Sequence, residues 1–167
     1  AARFTEAVEV IRRLWTEERV THHGRFFDLD DIGLSIRPRR PEGCPIWVGG
    51  SVEKAVERAA RIGDAWIASF TADVERLGAL RRVYQGARKD HKAVEVPVCR
   101  ECFVADTYAE ALDWSRAALI GKYAAYASWD NANVAEDRPF AERFDEYRRD
   151  RFLIGAPDRV RDEIARY

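Results

Sequence analysis

Apolar residues recur every three or four positions near the start of the chain, a spacing typical of a helix that buries one face. Glutamate and arginine side chains occupy the opposite side of the same segment. The residues with this spacing are Phe4, Ala7, Val8, Ile11, Leu14 and Trp15. The pattern predicts a first helix near residues 3–16. Short apolar runs on both sides of Gly24 then predict a small hairpin or an irregular excursion within residues 17–44.

Beyond residue 44, short apolar runs alternate with amphipathic segments. The predicted strands are residues 45–49, 64–69 and 94–104. The first predicted helix covers residues 51–62. A second helix follows the strand over 64–69 and is capped by Thr71 or Asp73. A third is capped by Asp106 or Thr107 and continues to about Ala127. This alternation predicts adjacent parallel strands with the helices packed outside, which is the α/β class. Gly63 is expected to end the helix over 51–62 in the left-handed conformation.

Residues 128–151 are polar and lack a clear period, although aromatic residues are spaced along them. We interpret this segment as a loop or lid with a short helix around 138–149. Residues 152–154 form a brief apolar segment, and Gly155 follows it as a turn. Pro157 suits the first turn of a last helix, because proline needs no N–H partner there.

The chain has 167 residues, the size of one domain with a single core. Hydrophobic residues make up 47% and the formal net charge is -1, so we expect a soluble globular protein that binds neither nucleic acid nor an acidic membrane surface. No apolar run reaches membrane-spanning length and no signal-peptide pattern is present, which favours the cytoplasm. The chain has no methionine and opens directly into a helical pattern, so we expect it to be a piece of something longer.

The chain has three cysteines, an odd number that favours reduced thiols over a disulfide framework. Cys99 and Cys102 have the C-x-x-C spacing, but residues three apart on a strand point to opposite faces, and a zinc site needs further ligands. We therefore expect two reduced core thiols and no metal site. His22 and His23 are adjacent in an extended segment, where their side chains diverge, so we expect a hairpin surface there.

The most informative segment follows the predicted strand over 45–49, where Gly49, Gly50 and Ser51 lead into a helix. We call these three residues the Gly-Gly-Ser turn. Free backbone N–H groups at a helix start, together with the helix dipole, favour a bound anion such as phosphate. Ser51 then serves either as the helix N-cap or as a ligand to phosphate. The alternative is a tight turn with a capping serine that binds nothing.

Five segments are informative together, by their sequence and their order. They are 14–16, 24–27, 45–51, 59–66 and 153–160. This series resembles the bacterial-luciferase-like flavin-dependent oxidoreductase (luciferase-like monooxygenase) family over nearly the whole chain. The resemblance implies the second half of a (β/α)8 barrel, with Val48 ending about the fifth strand. Because a complete barrel takes about 250 residues, we expect a partial TIM barrel with parallel strands and outer helices.

The resemblance also implies a cofactor and the residues that contact it. In this family the turn after the fifth strand receives the flavin phosphate, which carries over to Gly49, Gly50 and Ser51. The implied cofactor is FMN, with the deazaflavin F420 as the alternative. Substrate-pocket candidates lie at the carboxyl end of the next strand and in the lid, where ordinary packing accounts for the same residues equally well. They are Ser69, Phe70, Thr71 and Trp129.

The implied activity is oxidation of a small organic substrate, either by reduced flavin and O2 or by hydride transfer with a deazaflavin. No residue is assigned as a catalytic acid or base. The alternative is a truncated, non-catalytic relative that dimerises or binds a phosphate compound or flavin. Because a half-barrel exposes strand edges and an apolar face, we expect a second copy or the missing half-barrel to cover them. The chain alone is expected to be too short for activity.

Overall fold

A computed structural model describes residues 1–89, 96–129, 134 and 136–167. Its helices are α1 (Ala2–Thr16), α2 (Glu53–Ile62), α3 (Val74–Ala87), α4 (Tyr108–Ser128), α5 (Phe140–Tyr147) and α6 (Pro157–Ile164). Its strands are β1 (Val20–His23), β2 (Asp28–Ile32), β3 (Trp47–Gly50), β4 (Ala65–Ala68), β5 (Cys102–Val104) and β6 (Leu153–Gly155). The predicted first helix and the hairpin around Gly24 are confirmed. Within the described residues, none of the helices has the length and apolar character that crossing a bilayer requires.

The chain divides into two compact units. The described residues of the first unit are 1–66 and 84–89, and those of the second begin at Ile67 and Val96. The interpretation of the whole chain as one half-barrel domain, with an excursion before the first barrel strand and a lid over 128–151, stays a prediction. Part of that predicted lid lies outside the described residues.

In the first unit, α1 is tied to the hairpin of β1 and β2. The two strands pair antiparallel, with an irregularity after Val20. The carboxylate of Glu6, on α1, accepts hydrogen bonds from the N–H groups of Phe26 and Phe27, each at 2.9 Å. It also lies 3.3 Å from Nε2 of His22. These contacts fix the hairpin against the helix.

β3 pairs with β4, and α2 connects the two strands and packs on β3. The contact is built from small side chains, since Val48 of β3 and Val56 and Ala59 of α2 are buried. The expected left-handed conformation of Gly63 is wrong, because its φ is -97°. A Cβ atom at Gly63 would lie 2.9 Å from Cγ2 of Val48, so this glycine instead permits the close approach of the helix end to the strand.

The core of the second unit is a cluster of aromatic side chains from α4, α5 and the residue before β6. The ring of Tyr123 is fully buried and stacks on Phe140, with centroids 4.9 Å apart. Tyr147 and Phe152 contact the ring of Tyr123 at centroid distances of 5.4 and 5.2 Å. Aromatic pairs at such distances add to the stability that burial provides.

β5 and β6 form a parallel pair in the second unit. Phe103 lies opposite Ile154, and the register holds on both sides of this residue pair. The apolar segment over 152–154 therefore contributes a strand. Gly155 ends that strand with a φ of +152°, and Pro157 begins α6, as predicted.

The adjacency of three parallel strands within residues 45–127, with their helices outside, stays a prediction. β3 pairs with β4 and β5 pairs with β6, while no ladder joins β4 to β5 among the described residues. Of the strand predicted over 94–104, only the last part forms β5, and residues 94–95 lie outside the described residues. The N–H of Ala68 donates to the carbonyl of Pro97 at 3.2 Å, but Pro97 has no N–H with which to continue a ladder.

The cysteines of the chain are free and exposed. The expectation that Cys99 and Cys102 are core thiols is therefore wrong. Cys99 precedes β5 in irregular backbone, and Cys102 lies on the exposed face of that strand. Among the residues that the structure describes, no group of His, Cys, Asp and Glu side chains is arranged to hold a metal ion.

Candidate functional site

The Gly-Gly-Ser turn joins β3 to α2 in the first unit. Val48, directly before it, is buried, whereas Gly49 is exposed and both Gly50 and Ser51 are half-buried. The fully buried indole of Trp66 donates from Nε1 to the carbonyl oxygen of Gly50 at 2.9 Å. This hydrogen bond fixes the backbone of the turn from the neighbouring strand β4.

Position 50 requires glycine because of the space around it. A Cβ atom on Gly50 would lie 3.0 Å from Cβ of Ala55 and 3.2 Å from the backbone nitrogen of Val56. Both atoms belong to the first turns of α2. A larger side chain at position 50 therefore has to displace the start of the helix or enter the space in front of it.

The start of α2 leaves backbone N–H groups without acceptors. The N-cap is Val52, with φ -124° and ψ 153°, and no side chain caps it. In the described part of the chain, no group accepts from the N–H of Ser51, Val52 or Lys54, and the Ser51 hydroxyl has no partner either. The interpretation of Ser51 as the N-cap is therefore wrong, because the helix starts one residue later than that role requires.

These donors have the chemistry that an anion requires. N–H groups at a helix start lie at the positive end of the helix dipole, and such groups bind phosphate in many proteins. The Ser51 hydroxyl adds one more donor beside them. A phosphate group therefore fits the residues of the Gly-Gly-Ser turn and the first turn of α2.

In the second unit, residues 69–73 follow β4 and bond to one another. Oγ of Ser69 and Oγ1 of Thr71 lie 2.7 Å apart, and Thr71 is buried. Oδ1 of Asp73 accepts from the N–H of Arg76 at 2.8 Å, so Asp73 caps α3 as one of the two predicted alternatives. The hydroxyls of this segment thus have partners within it.

Two arginines hold residues 69–73 in place. Arg100 donates to the carbonyl oxygens of Ser69, Phe70 and Ala72 at 3.3, 3.0 and 2.8 Å. Arg151 donates from Nε to the carbonyl oxygen of Thr71 at 2.9 Å and from Nη2 to the carboxylate of Asp73 at 3.0 Å. The planar guanidinium suits this role, because it presents several N–H donors in fixed directions.

Phe70 and Trp129 contact the same ring of α4. The centroid of Tyr126 lies 5.6 Å from that of Phe70 and 5.6 Å from that of Trp129. Phe70 also meets the edge of Tyr123 at 6.4 Å, so it packs on the aromatic core. Trp129 is 71% exposed and covers little more than Tyr126.

The structure therefore gathers one group of predicted residues within each unit. The first unit contains the Gly-Gly-Ser turn, and the second brings Ser69 and Thr71 together and connects Phe70 to Trp129 through Tyr126. The roles of these residues in binding cofactor or substrate stay predictions.

Burial in the aromatic core raises the pKa of Tyr147 to about 12. The guanidinium of Arg151, 4.8 Å from the ring centroid, acts in the opposite direction. The phenol of Tyr147 is therefore protonated at neutral pH.

Sequence reasoning missed Trp66, Arg100 and Arg151. A signal was present, since a tryptophan or arginine in an apolar segment must find acceptors for its N–H groups. A local sequence pattern does not identify those acceptors, because they lie far away along the chain. Gly50 lies 16 residues from Trp66, and Thr71 lies 80 residues from Arg151.

A family model described as luciferase-like monooxygenase matches residues 1–167. An F420-dependent glucose-6-phosphate dehydrogenase of Kineococcus radiotolerans is 41% identical over 66 residues, which are 40% of this chain and 19% of that protein. An F420-dependent hydroxymycolic acid dehydrogenase of Mycobacterium tuberculosis is 36% identical over 90 residues, which are 53% of this chain and 24% of that protein.

The monooxygenase RslO1 from Streptomyces bottropensis has a similar solved structure. It is 25% identical, with a TM-score of 0.72 over 98% of this chain and 49% of RslO1. The chain thus spans about half the length of RslO1 and matches a smaller share of the two dehydrogenases. The predicted fold is confirmed as part of a luciferase-like TIM barrel, with parallel strands and no closed barrel in the described residues.

Proposed function

Because the chain belongs to the luciferase-like monooxygenase family, we propose that it carries the cofactor-phosphate site of a flavin- or deazaflavin-dependent oxidoreductase. The observation that carries the proposal is the open start of α2 behind the Gly-Gly-Ser turn. The N–H groups of Ser51, Val52 and Lys54 hold the phosphate, and the Ser51 hydroxyl adds a donor. Gly50 keeps side-chain atoms out of the same space.

F420 is the cofactor that the relatives favour. The two dehydrogenases, which are 41% and 36% identical to this chain over the matched segments, are both named as F420-dependent. When bound, a deazaflavin exchanges hydride with an organic substrate, and the protein supplies binding and orientation. In this proposal the chain holds the cofactor phosphate, while Arg100 and Arg151 keep the 69–73 segment in a fixed shape beside the substrate.

An FMN-dependent monooxygenase is the second candidate, favoured by the likeness to RslO1. The two candidates share the phosphate group and differ in the chromophore. Fluorescence titration of the protein with FMN and with F420 separates them. We expect tighter binding of F420, whereas binding of FMN alone supports the second candidate.

The turn itself is tested by Gly50→Val. The valine side chain meets the first turn of α2, so we expect cofactor affinity to fall at least tenfold. Gly121→Val is the matched control, because a Cβ atom on Gly121 meets nothing within 4 Å. If both variants bind FMN and F420 as the parent protein does, the phosphate site is not at this turn.

A covering polypeptide is part of the proposal. Trp47 of β3 is 56% exposed and Val104 of β5 is 45% exposed, and the edges of a half-barrel lack neighbouring strands. A second copy of the chain, or the other half of a barrel, covers them. Light scattering tests the homo-oligomer, and a mass of 19.2 kDa at every concentration contradicts it.

A further inference from the structure

A cleft of about 260 Å³ lies between the turn after α5 and the helix α6 of the second unit. Its walls carry the arginines Arg148, Arg149, Arg159 and Arg166. Its carboxylates are those of Asp150 and Glu163. We call this feature the arginine cleft. It contains none of the residues assigned above to cofactor or substrate.

The charges of the arginine cleft are only partly compensated. Asp150 and Glu163 both pair with Arg166, the latter at 2.7 Å. Arg148 is bound through Nε to Asp145 at 3.0 Å. In the described part of the chain, no carboxylate lies within ion-pairing distance of the remaining two, Arg149 and Arg159. Two guanidinium groups are therefore available to an anion in one cleft.

The side chain of Arg159 is held in place over an aromatic ring. Its guanidinium carbon lies 4.5 Å from the ring centroid of Tyr108, and that of Arg148 lies 5.8 Å from the same centroid. Gly155 leaves room for this arrangement, since a Cβ atom there would lie 2.5 Å from Cδ of Arg159. A guanidinium that is already oriented loses less entropy when it binds a ligand.

We propose that the arginine cleft binds a small phosphate monoester. Arginine forks match the oxygens of a phosphate group, and Phe152 and Ile154 give the cleft an apolar floor for a short carbon chain. Small-molecule sites usually have volumes of roughly 300–1,000 Å³. The cleft, at about 260 Å³, is smaller than this, which favours a monoester with few carbons over a whole flavin. The inference does not depend on the proposed oxidoreductase function.

The test is calorimetric titration of the protein with glycerol 3-phosphate, with glycerol as the uncharged comparison. We expect binding of the phosphate ester and none of glycerol. Arg159→Gln and Arg149→Gln should each weaken binding about tenfold or more, as expected for the loss of a hydrogen bond to a charged group. Arg159→Lys keeps the positive charge but lacks the paired N–H donors of the guanidinium. Its affinity for glycerol 3-phosphate should lie between those of the parent protein and Arg159→Gln.

Arg161→Gln is the matched control, because Arg161 lies on the same helix, is exposed and pairs with Asp158 at 3.0 Å outside the cleft. Arg161→Gln should bind glycerol 3-phosphate as the parent protein does. Equal weakening in Arg161→Gln and Arg159→Gln shows general charge attraction and overturns the proposal. An absence of binding at millimolar ligand also overturns it.

Discussion

The side chain of Glu6 accepts hydrogen bonds where α1 meets the hairpin, and this affects its pKa. Burial, the largest single influence, acts to raise that pKa. The N–H groups of Phe26 and Phe27, together with His22, outweigh burial and hold the pKa of Glu6 below its ordinary value of 4.5. A carboxyl group with a lowered pKa stabilises the fold above the unfolded-state pKa, and this contribution is lost as the pH falls through the folded-state pKa.

We therefore predict that Glu6→Gln flattens the dependence of stability on pH below 4.5. In this pH range the unfolded state of the parent protein binds more protons than the folded state. The free energy of unfolding of the parent protein therefore falls as the pH is lowered. Urea unfolding at a series of pH values measures the difference. Glu9→Gln, an exposed change on the same helix, should keep the slope of the parent protein, and an unchanged slope in Glu6→Gln contradicts the assignment.

Tyr123 carries a buried hydroxyl that has no hydrogen-bond partner among the described residues. A buried polar group without a partner costs about 1–3 kcal/mol. We predict that Tyr123→Phe raises the free energy of unfolding by about 1 kcal/mol, since the ring contacts are kept. Tyr84→Phe is the control and should be destabilising, because its hydroxyl accepts from Arg88 at 2.8 Å. Chemical denaturation measures both, and a clear loss of stability in Tyr123→Phe means that its hydroxyl has a partner.

At the scale of elements, the segment 69–73 takes its shape from distant side chains. Arg100 binds three of its carbonyl oxygens. We predict that Arg100→Gln speeds amide hydrogen exchange in this segment severalfold and leaves exchange in the hairpin unchanged. Arg39→Gln, an exposed change in the first unit, should alter neither. Unchanged exchange over 69–73 in Arg100→Gln shows that the arginine does not hold the segment.

Helices were largely predictable because their signals are local. Thr107 caps α4 by accepting from the N–H of Glu110 at 3.2 Å, and a capping residue ahead of an apolar period is visible in the sequence. Strand pairing was predicted less well, since it depends on residues far apart in the chain. The run over 94–104 has the composition of a strand, yet among its described residues only Cys102–Val104 form one.

At the scale of the whole molecule, the candidate site was predictable in position but not in detail. Two glycines and a serine between a strand and a helix give the location of the turn directly. The N-cap position of Val52 and the hydrogen bond from the Trp66 indole to Gly50 depend on how β3, α2 and β4 pack. A local pattern contains no information about that packing.

The central claim is that the Gly-Gly-Ser turn binds the phosphate of the cofactor, and the phosphate itself offers the most direct test. Fluorescence titration measures the affinities of the parent protein and of Ser51→Ala for two pairs of ligands. One pair is FMN and riboflavin, and the other is F420 and its phosphate-free chromophore. We predict that Ser51→Ala weakens binding of the phosphate-bearing cofactor by about 1.5–3 kcal/mol, which is what a hydrogen bond to a charged group contributes. The phosphate-free forms should bind equally to both proteins. Equal affinities of Ser51→Ala and the parent protein for FMN and for F420 contradict the claim.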